Sequence, residues 1–394
     1  MPQTRNTTYR RPREASFFDY SLLIAVIALC CFGLVMVYSA SAYSCAIDPK
    51  VNDPAYYLKR QGEFMLLGFV AMVVVSRIDY HWYSKLAALG YAAAFLLMVL
   101  VDFVPGFGKE SHGKKRWFMI AGHTLFQPSE LVKVVVILCL AVFLYHIGKN
   151  LDKKFGKALF LLAAIVAPID ALVIINNLST GLIILGIAFV MVFVASEKRM
   201  PFVVAVTLIA AAAFIATKGA KQLVDMGILQ FYQAERILVW QDPWAYPLDG
   251  GFQVIQGLYA IGSGGLFGKG LGNSIQKLSF IPESQNDMIF SIICEELGVF
   301  GAVSVILLFF FLIWRLVVIA NNAPDLLGSL LVVGIMAHIS LQVILNIAVV
   351  TNSIPNTGVT LPFISYGGTS ILFLMVEMGM ALGVSAQIRV ETDV

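Results

Sequence analysis

The sequence predicts an all-α polytopic membrane protein with about ten transmembrane helices and a large extracytoplasmic segment between the seventh and eighth. Three observations predict it. Of 394 residues, 59% are apolar and only 13% are charged, where a soluble globular chain carries about 25% charged residues. Mean hydropathy is +0.83. The apolar residues form continuous runs near the about 18–20 residues that cross a bilayer as a helix, not the alternating pattern of a membrane strand barrel. A soluble enzyme, a disordered chain and a fibrous protein are excluded. A formal net charge of +3 gives no strong field for nucleic acid, and no nucleic-acid partner is expected.

The spans read in order as 18–38, 64–78, 86–104, 130–147, 158–175, 180–196, 202–217, 287–314, 326–350 and 369–388. Arg5, Arg10, Arg11 and Arg13 precede the first, and Ala40-Ser41-Ala42 resembles a signal-peptide cleavage site. A signal core is about 7–15 residues long; this run is longer, so it is read as an uncleaved helix. The second and seventh spans are short. The eighth is long, so it is tilted or begins in a loop. Lys and Arg concentrate in the tail and in alternate loops (Arg77, Lys85, Lys149, Lys153, Lys154, Lys157, Lys198, Arg199, Arg315, Arg389). That bias places both termini in the cytoplasm.

The chain is thus an N-terminal tail (1–17), one membrane domain (18–388) with an extracytoplasmic segment at 218–286, and a short C-terminal tail (389–394). The basic cluster Lys109, Lys114, Lys115 and Arg116 faces outside against the rule, which suggests an anionic partner there. Of the five cysteines, only Cys45 lies outside an apolar run; neither a disulfide nor metal-ligand spacing is expected.

Ionisable groups at membrane depth are costly and tend to be functional. Four clusters break the apolar pattern. The first is Arg116-Trp117, then Gln127-Pro128-Ser129-Glu130 and Lys133. Pro128 starts the fourth helix, Glu130 lies in its first turn, where the helix dipole favours an anion, and Lys133 shares its face at i,i+3. An ion pair that holds the fold and a role in a ligand cavity both fit. The second cluster holds Glu235, Arg236, Asp242, Gln253 and Gln256, then the glycine-dense run Gly262 to Gly272 with Lys269. Dense glycines let main-chain amides approach a phosphate, although the spacing is not a P-loop and a re-entrant turn fits equally.

The third cluster is Pro282-Glu283, Asn286-Asp287 and Glu295-Glu296. Asp287 opens the eighth span beside an apolar wall, where partial desolvation suits it to accept a proton; a simple helix cap is the structural alternative. Glu283 precedes it by one turn. Glu295 and Glu296 lie roughly 12 Å deeper and read as packing partners of a buried cation. The fourth cluster is Gln342 and Asn346 on one face of the ninth span, then Pro355 to Gly358 and Leu361-Pro362-Phe363-Ile364-Ser365-Tyr366-Gly367-Gly368. Broken backbone at membrane depth occurs where it lines a cavity or is buried in protein. His338 reads as a packing residue.

These stretches, in this order, together with Met36 to Ser41 and Lys59-Arg60-Gln61, resemble the SEDS family (shape, elongation, division and sporulation) of FtsW and RodA proteins, closer to the division-type FtsW branch. The resemblance covers nearly the whole chain, and its most specific parts are Leu361 to Gly368 and Gln127-Pro128-Ser129-Glu130 with Lys133. It implies a ten-span peptidoglycan glycosyltransferase that polymerises lipid II into glycan strands at the outer membrane face. It further implies that the enzyme works beside a class B penicillin-binding protein and other divisome membrane proteins. The family's essential aspartate falls on Asp287. The chain departs from the family at Asn177, where many members carry aspartate.

From this follow a set of expectations. Asp287 acts as the general base of an inverting transfer from undecaprenyl-pyrophosphate-linked glycan, and Glu283 supports it. Lys269, Arg116 and Arg236 hold pyrophosphates. Gln127, Ser129, Glu130, Lys133, Ser365 and Tyr366 line the substrate site. A divalent cation such as Mg or Mn assists, without an evident protein-only site. A lipid II transporter and a non-catalytic scaffold for a penicillin-binding protein are the alternatives.

Overall fold

The computed structural model describes residues 13–111, 114–120, 123–148, 151–153, 155–219, 231–248 and 250–392. The basic residues Arg5, Arg10, Arg11, Lys149 and Lys154, and positions 220–230 of the 218–286 segment, lie outside them.

Every expected span is a helix: α1 (Tyr20–Ile47), α2 (Tyr56–Ser76), α3 (His81–Phe103), α4 (Pro128–Ile147), α5 (Phe155–Asn176), α6 (Leu178–Ala195) and α7 (Met200–Lys218). After two short helices, α8 (Phe231–Gln241) and α9 (Gly251–Ser263), come α10 (Ile289–Asn322), α11 (Leu326–Val350) and α12 (Thr369–Ser385). Eight of these are long and apolar enough to cross a membrane. The other two expected spans are α2 and α12; α12 is a shorter apolar helix, and α2 carries Lys59, Arg60 and Glu63 in its first turns. α2 therefore starts at Tyr56 and not at 64, because the helix continues through its polar end. The long eighth span begins in a loop, as one of its two readings held: Asp287 and Met288 precede α10.

The ends of the helices follow from capping chemistry. Asp19 accepts from the Leu22 amide at 2.9 Å and Asp325 from the Gly328 amide at 2.8 Å, each satisfying an orphan donor of the first turn. Pro128 occupies the first position of α4 after an extended Gln127. Pairing across one end of the bundle closes it: β1 (Arg13–Phe17) runs antiparallel to β5 (Ile388–Thr392). At the same end, Arg315 binds the buried Asp19 at 2.6 Å. Asp79 there accepts from the His81 amide, Gln387 and the His81 ring, which hold its carboxyl down at about 2.

At the opposite end the basic 109–116 segment is a three-stranded sheet, β2 (Gly108–Ser111), β3 (Lys114–Ile120) and β4 (His123–Phe126), and not a loop. Its register shifts between Lys109 and Glu110 and again between Phe118 and Met119.

α11 is the central helix, with 67% of its most apolar window buried, and it packs on α4, α6 and α10. α7 is peripheral, with 6% of its window buried. α12 lies along α2, and the fit is close enough that a Cβ at Gly379 would come within 2.7 Å of the Met72 carbonyl oxygen. The polar clusters of the sequence gather at the sheet-bearing end.

Candidate functional site

Asp287 stands where four segments meet. Its main-chain carbonyl accepts from Asn346 Nδ2 at 2.7 Å, and the same nitrogen donates to the Val359 carbonyl at 2.7 Å. The loop after α11 thereby lies against the start of α10, and a Cβ at Gly358 would sit 3.8 Å from Asp287 Oδ2. Ser179 Oγ, in the first turn of α6, donates to the Thr357 carbonyl at 2.7 Å. From the other side, Arg236 on α8 donates to the Asn356 carbonyl at 2.9 Å, and Asn356 donates to Gln253 on α9 at 3.2 Å.

Glu283 shares the turn with Asp287. Its backbone is left-handed, at φ +48°, its carbonyl accepts from the Asn286 amide at 2.9 Å, and its carboxylate accepts from Asn286 Nδ2 at 2.6 Å. A left-handed non-glycine residue costs of order 1–3 kcal/mol and persists where its surroundings over-determine it. Here Ser284 Oγ donates to the Ala40 carbonyl at 3.0 Å, and the Tyr366 amide donates to the Gln285 carbonyl at 2.9 Å.

The segment Leu361 to Gly368 forms the next wall. Ser365 Oγ accepts from the Leu361 amide at 2.8 Å and is buried. Gln61, fully buried on α2, donates to the Ser365 carbonyl at 3.1 Å and accepts from the Gly367 amide at 3.4 Å. The Ser365 hydroxyl thus braces the loop as an acceptor, and its own O–H remains a donor. Tyr366 packs edge-on against Tyr57 at 4.5 Å. Burial pushes its phenol up, against the opposing pull of Arg60.

Glu130 and Lys133 form a buried ion pair at 3.0 Å, and Ser370 Oγ of α12 donates to Glu130 at 2.7 Å, so the pair ties α4 to α12. The residues just before it do line a small cavity. Gln127, Ser129, Arg116, Lys115, Asn176 and Asn177 surround it. Gln127 Nε2 donates to Ser129 Oγ at 2.9 Å, and Arg116 Nε donates to the Asn176 carbonyl at 3.2 Å. Asn177 caps α6, its Oδ1 accepting from the Thr180 amide at 3.2 Å, a task for which its amide oxygen suffices.

The glycine-dense run is a packing device. α10 breaks at Gly298, where φ is +65° and ψ −164°. The Val299 and Phe300 amides turn to the Gly265 and Leu266 carbonyls at 2.9 and 3.1 Å. The Glu295 and Glu296 carbonyls receive the Lys269 and Gly270 amides in exchange, each at 2.9 Å. Each chain thus satisfies the groups the other leaves open. Cβ atoms at Gly264, Gly268 or Gly298 would overlap facing backbone.

Replacing Gly298 by Ala is expected to destabilise the fold by about 1–3 kcal/mol from backbone strain alone, with the overlap adding to it. Thermal unfolding of the purified variant in detergent reads this as a lowered midpoint; an unchanged midpoint contradicts the packing account.

This lock also holds Lys269, which binds Glu295 at 2.7 Å. Ser274 Oγ and the Ile275 and Gln276 amides complete the shell of that carboxylate. The Lys269 ammonium, expected at a pyrophosphate, is engaged by Glu295, eight residues beyond Asp287. Glu296 is paired with Lys277 at 2.7 Å and with Ser39 Oγ at 2.7 Å, all buried. The cations of this acid pair are two lysines, of which Lys277 is buried and Lys269 is partly exposed. Lys277 was not singled out, although two adjacent acids inside an apolar run call for two cations. Arg236 likewise serves the 351–360 loop through its contact with Asn356.

Residues 20–390 match the family described as cell cycle protein and represented by FtsW, RodA and SpoVE. The chain is 40% identical over 372 residues to Stage V sporulation protein E of Bacillus subtilis, covering 94% of this chain and 98% of that protein. It is 37% identical over 380 residues to the probable peptidoglycan glycosyltransferase FtsW of Geobacter sp., covering 96% and 99%. Among solved structures, one described under structural coordination of polymerization and crosslinking by a peptidoglycan synthase complex aligns with a TM-score of 0.75 and 31% identity. It covers 94% of this chain and 98% of that one. The crystal structure of the Thermus thermophilus rod shape determining protein RodA aligns with a TM-score of 0.65 and 27% identity over 94% and 97%.

Proposed function

Because the chain belongs to the FtsW, RodA and SpoVE family of cell cycle proteins, we propose that it is a peptidoglycan glycosyltransferase that polymerises lipid II, with Asp287 as its general base. The observation that carries the residue assignment is the docking against Asp287 of the 351–360 loop, which α6 and α8 hold through Thr357 and Asn356. The transfer we propose is inverting. The 4-hydroxyl oxygen of the acceptor N-acetylglucosamine on lipid II bonds to the anomeric carbon of the donor glycan. The bond from that carbon to undecaprenyl pyrophosphate breaks, and the pyrophosphate leaves with the electron pair. Asp287 takes the hydroxyl proton. Glu283, held by Asn286 on the same turn, supports it.

Pyrophosphate contacts are assigned to Arg116 and its neighbour Lys115 at the cavity with Gln127 and Ser129, since guanidinium and ammonium groups bind phosphate oxygens strongly. Tyr366 is retained as a wall of the acceptor side. We route no step through a divalent cation: among the described residues no group of three or more His, Cys, Asp or Glu side chains could hold one, so any bound cation would need the pyrophosphate's own oxygens.

Glu130 pairs with Lys133 and His338 hydrogen-bonds Glu377 within the bundle, and neither contact traces a charged path across it, which supports an enzyme over a transporter. We place both termini in the cytoplasm and the 218–286 segment with Asp287 at the outer face, following the Lys and Arg distribution. A class B penicillin-binding protein is the proposed partner, in line with the peptidoglycan synthase complex to which the fold is similar; other divisome membrane proteins belong to the same proposal. Septal synthesis in cell division is the proposed role. Spore-wall synthesis is the second reading, favoured by the identity to Stage V sporulation protein E; localisation of a fluorescent fusion at midcell or at the forespore decides between them.

Labelled lipid II incubated with the purified chain, alone and with a cognate class B penicillin-binding protein, should release one undecaprenyl pyrophosphate for each glycosidic bond formed. Consumption of lipid II without that release contradicts the proposal.

A further inference from the structure

α11 carries His338, Gln342 and Asn346 at four-residue intervals, so all three lie on one face. All are buried, and Asn346 is fully so. Asn346 is the member nearest the site. Its single Nδ2 bridges two carbonyls that belong to different loops, Asp287 before α10 and Val359 after α11, at 2.7 Å each. Its Oδ1 has no hydrogen-bond partner among the described residues. The amide orientation follows from the chemistry: reversed, it would set an oxygen against two carbonyl oxygens.

We infer that Asn346 is a positioning residue for glycosyl transfer, fixing the Asp287 backbone against the 356–360 loop so that the carboxylate keeps its place beside Gly358. The inference rests on the reading of Asp287 as the base. Asn346 itself is buried beneath both loops and reaches no substrate. It acts by holding distance and angle, where small displacements cost large factors in rate. Its loss should therefore lower kcat and leave substrate affinity in place.

The test uses the full chain with its cognate class B penicillin-binding protein and labelled lipid II. Asn346→Leu removes both hydrogen bonds. Asn346→Asp keeps the shape but presents oxygen to both carbonyls, and only its protonated form can donate, to one of them. Gln342→Leu is the control for loss of a buried polar group on the same helix face.

Asn346→Leu should lower kcat at least thirtyfold with KM for lipid II within twofold, while Gln342→Leu keeps kcat within threefold. Asn346→Asp, the arm that stands if the leucine variant does not fold, should regain activity as pH falls relative to wild type at each pH. A purely structural role would instead scale the whole pH profile without moving it, and that result overturns the inference. So does a kcat for Asn346→Leu within threefold of wild type, or an equal loss in Gln342→Leu. Asp287→Asn, run in parallel, separates the two readings. If it is inactive while the Asn346 variants are normal, only the positioning role fails; if it is active, the base assignment fails and the inference with it.

Discussion

Asp287→Asn is expected to abolish glycan polymerisation while leaving the fold, lipid II binding and partner association intact. Asparagine has nearly the same shape, and the hydrogen bond from Asn346 reaches the main-chain carbonyl at 287, which the substitution does not alter. What is lost is the proton acceptor. General base catalysis contributes about 10²–10⁴ in rate, so the ladder of products should fall below detection. The thermal midpoint and co-purification with the penicillin-binding protein should match wild type. An active and stably folded Asn variant would remove Asp287 from the chemistry and leave the helix-cap reading of that residue standing.

The second large effect lies in the fold. Lys277→Met should destabilise the protein by about 3–5 kcal/mol, because removing one partner of a buried ion pair leaves an uncompensated charge. Glu296 is fully buried, and Ser39 Oγ is the donor it would keep. Lys269→Met should cost less: the Lys269 side chain is 29% exposed, and Glu295 would retain Ser274 Oγ and two main-chain amides. Adding Glu296→Leu to Lys277→Met should recover much of the loss, since well-packed apolar replacements of buried pairs are often neutral. Thermal unfolding of the single and double variants gives the coupling directly. Equal midpoints for wild type and Lys277→Met would refute the lock.

The helices were legible because continuous apolar runs report their own length, and Pro128 and Asp325 mark starts that capping requires. The sheet at 108–126 was not, because Lys109 to Arg116 reads as charge, and neither the pairing of Lys109 with Trp117 nor that of Phe118 with Phe126 follows an alternating pattern across the register shifts. Asp287 could be singled out from its place at a helix start, and Glu295 and Glu296 as acids in need of cations. Which cations they take could not be read, since Lys269 lies in the glycine-dense run and Lys277 just beyond it, in segments with no periodicity. That ambiguity is also why Lys269 was expected at a pyrophosphate. Glycines that admit a phosphate and glycines that admit another backbone look alike in sequence, and the break at Gly298 decides for the second. Ser365 shows the same limit: a polar residue in broken backbone can face a ligand or brace its own loop, and its contact with the Leu361 amide could not be read from the sequence.

The central claim is that this chain makes glycan strands. Its most direct test is the length distribution of the product formed from labelled lipid II by the wild-type chain with its cognate class B penicillin-binding protein, both reconstituted in vesicles. A ladder of strands that a muramidase cleaves is the predicted result. Lipid II that crosses the vesicle bilayer but stays monomeric would contradict it.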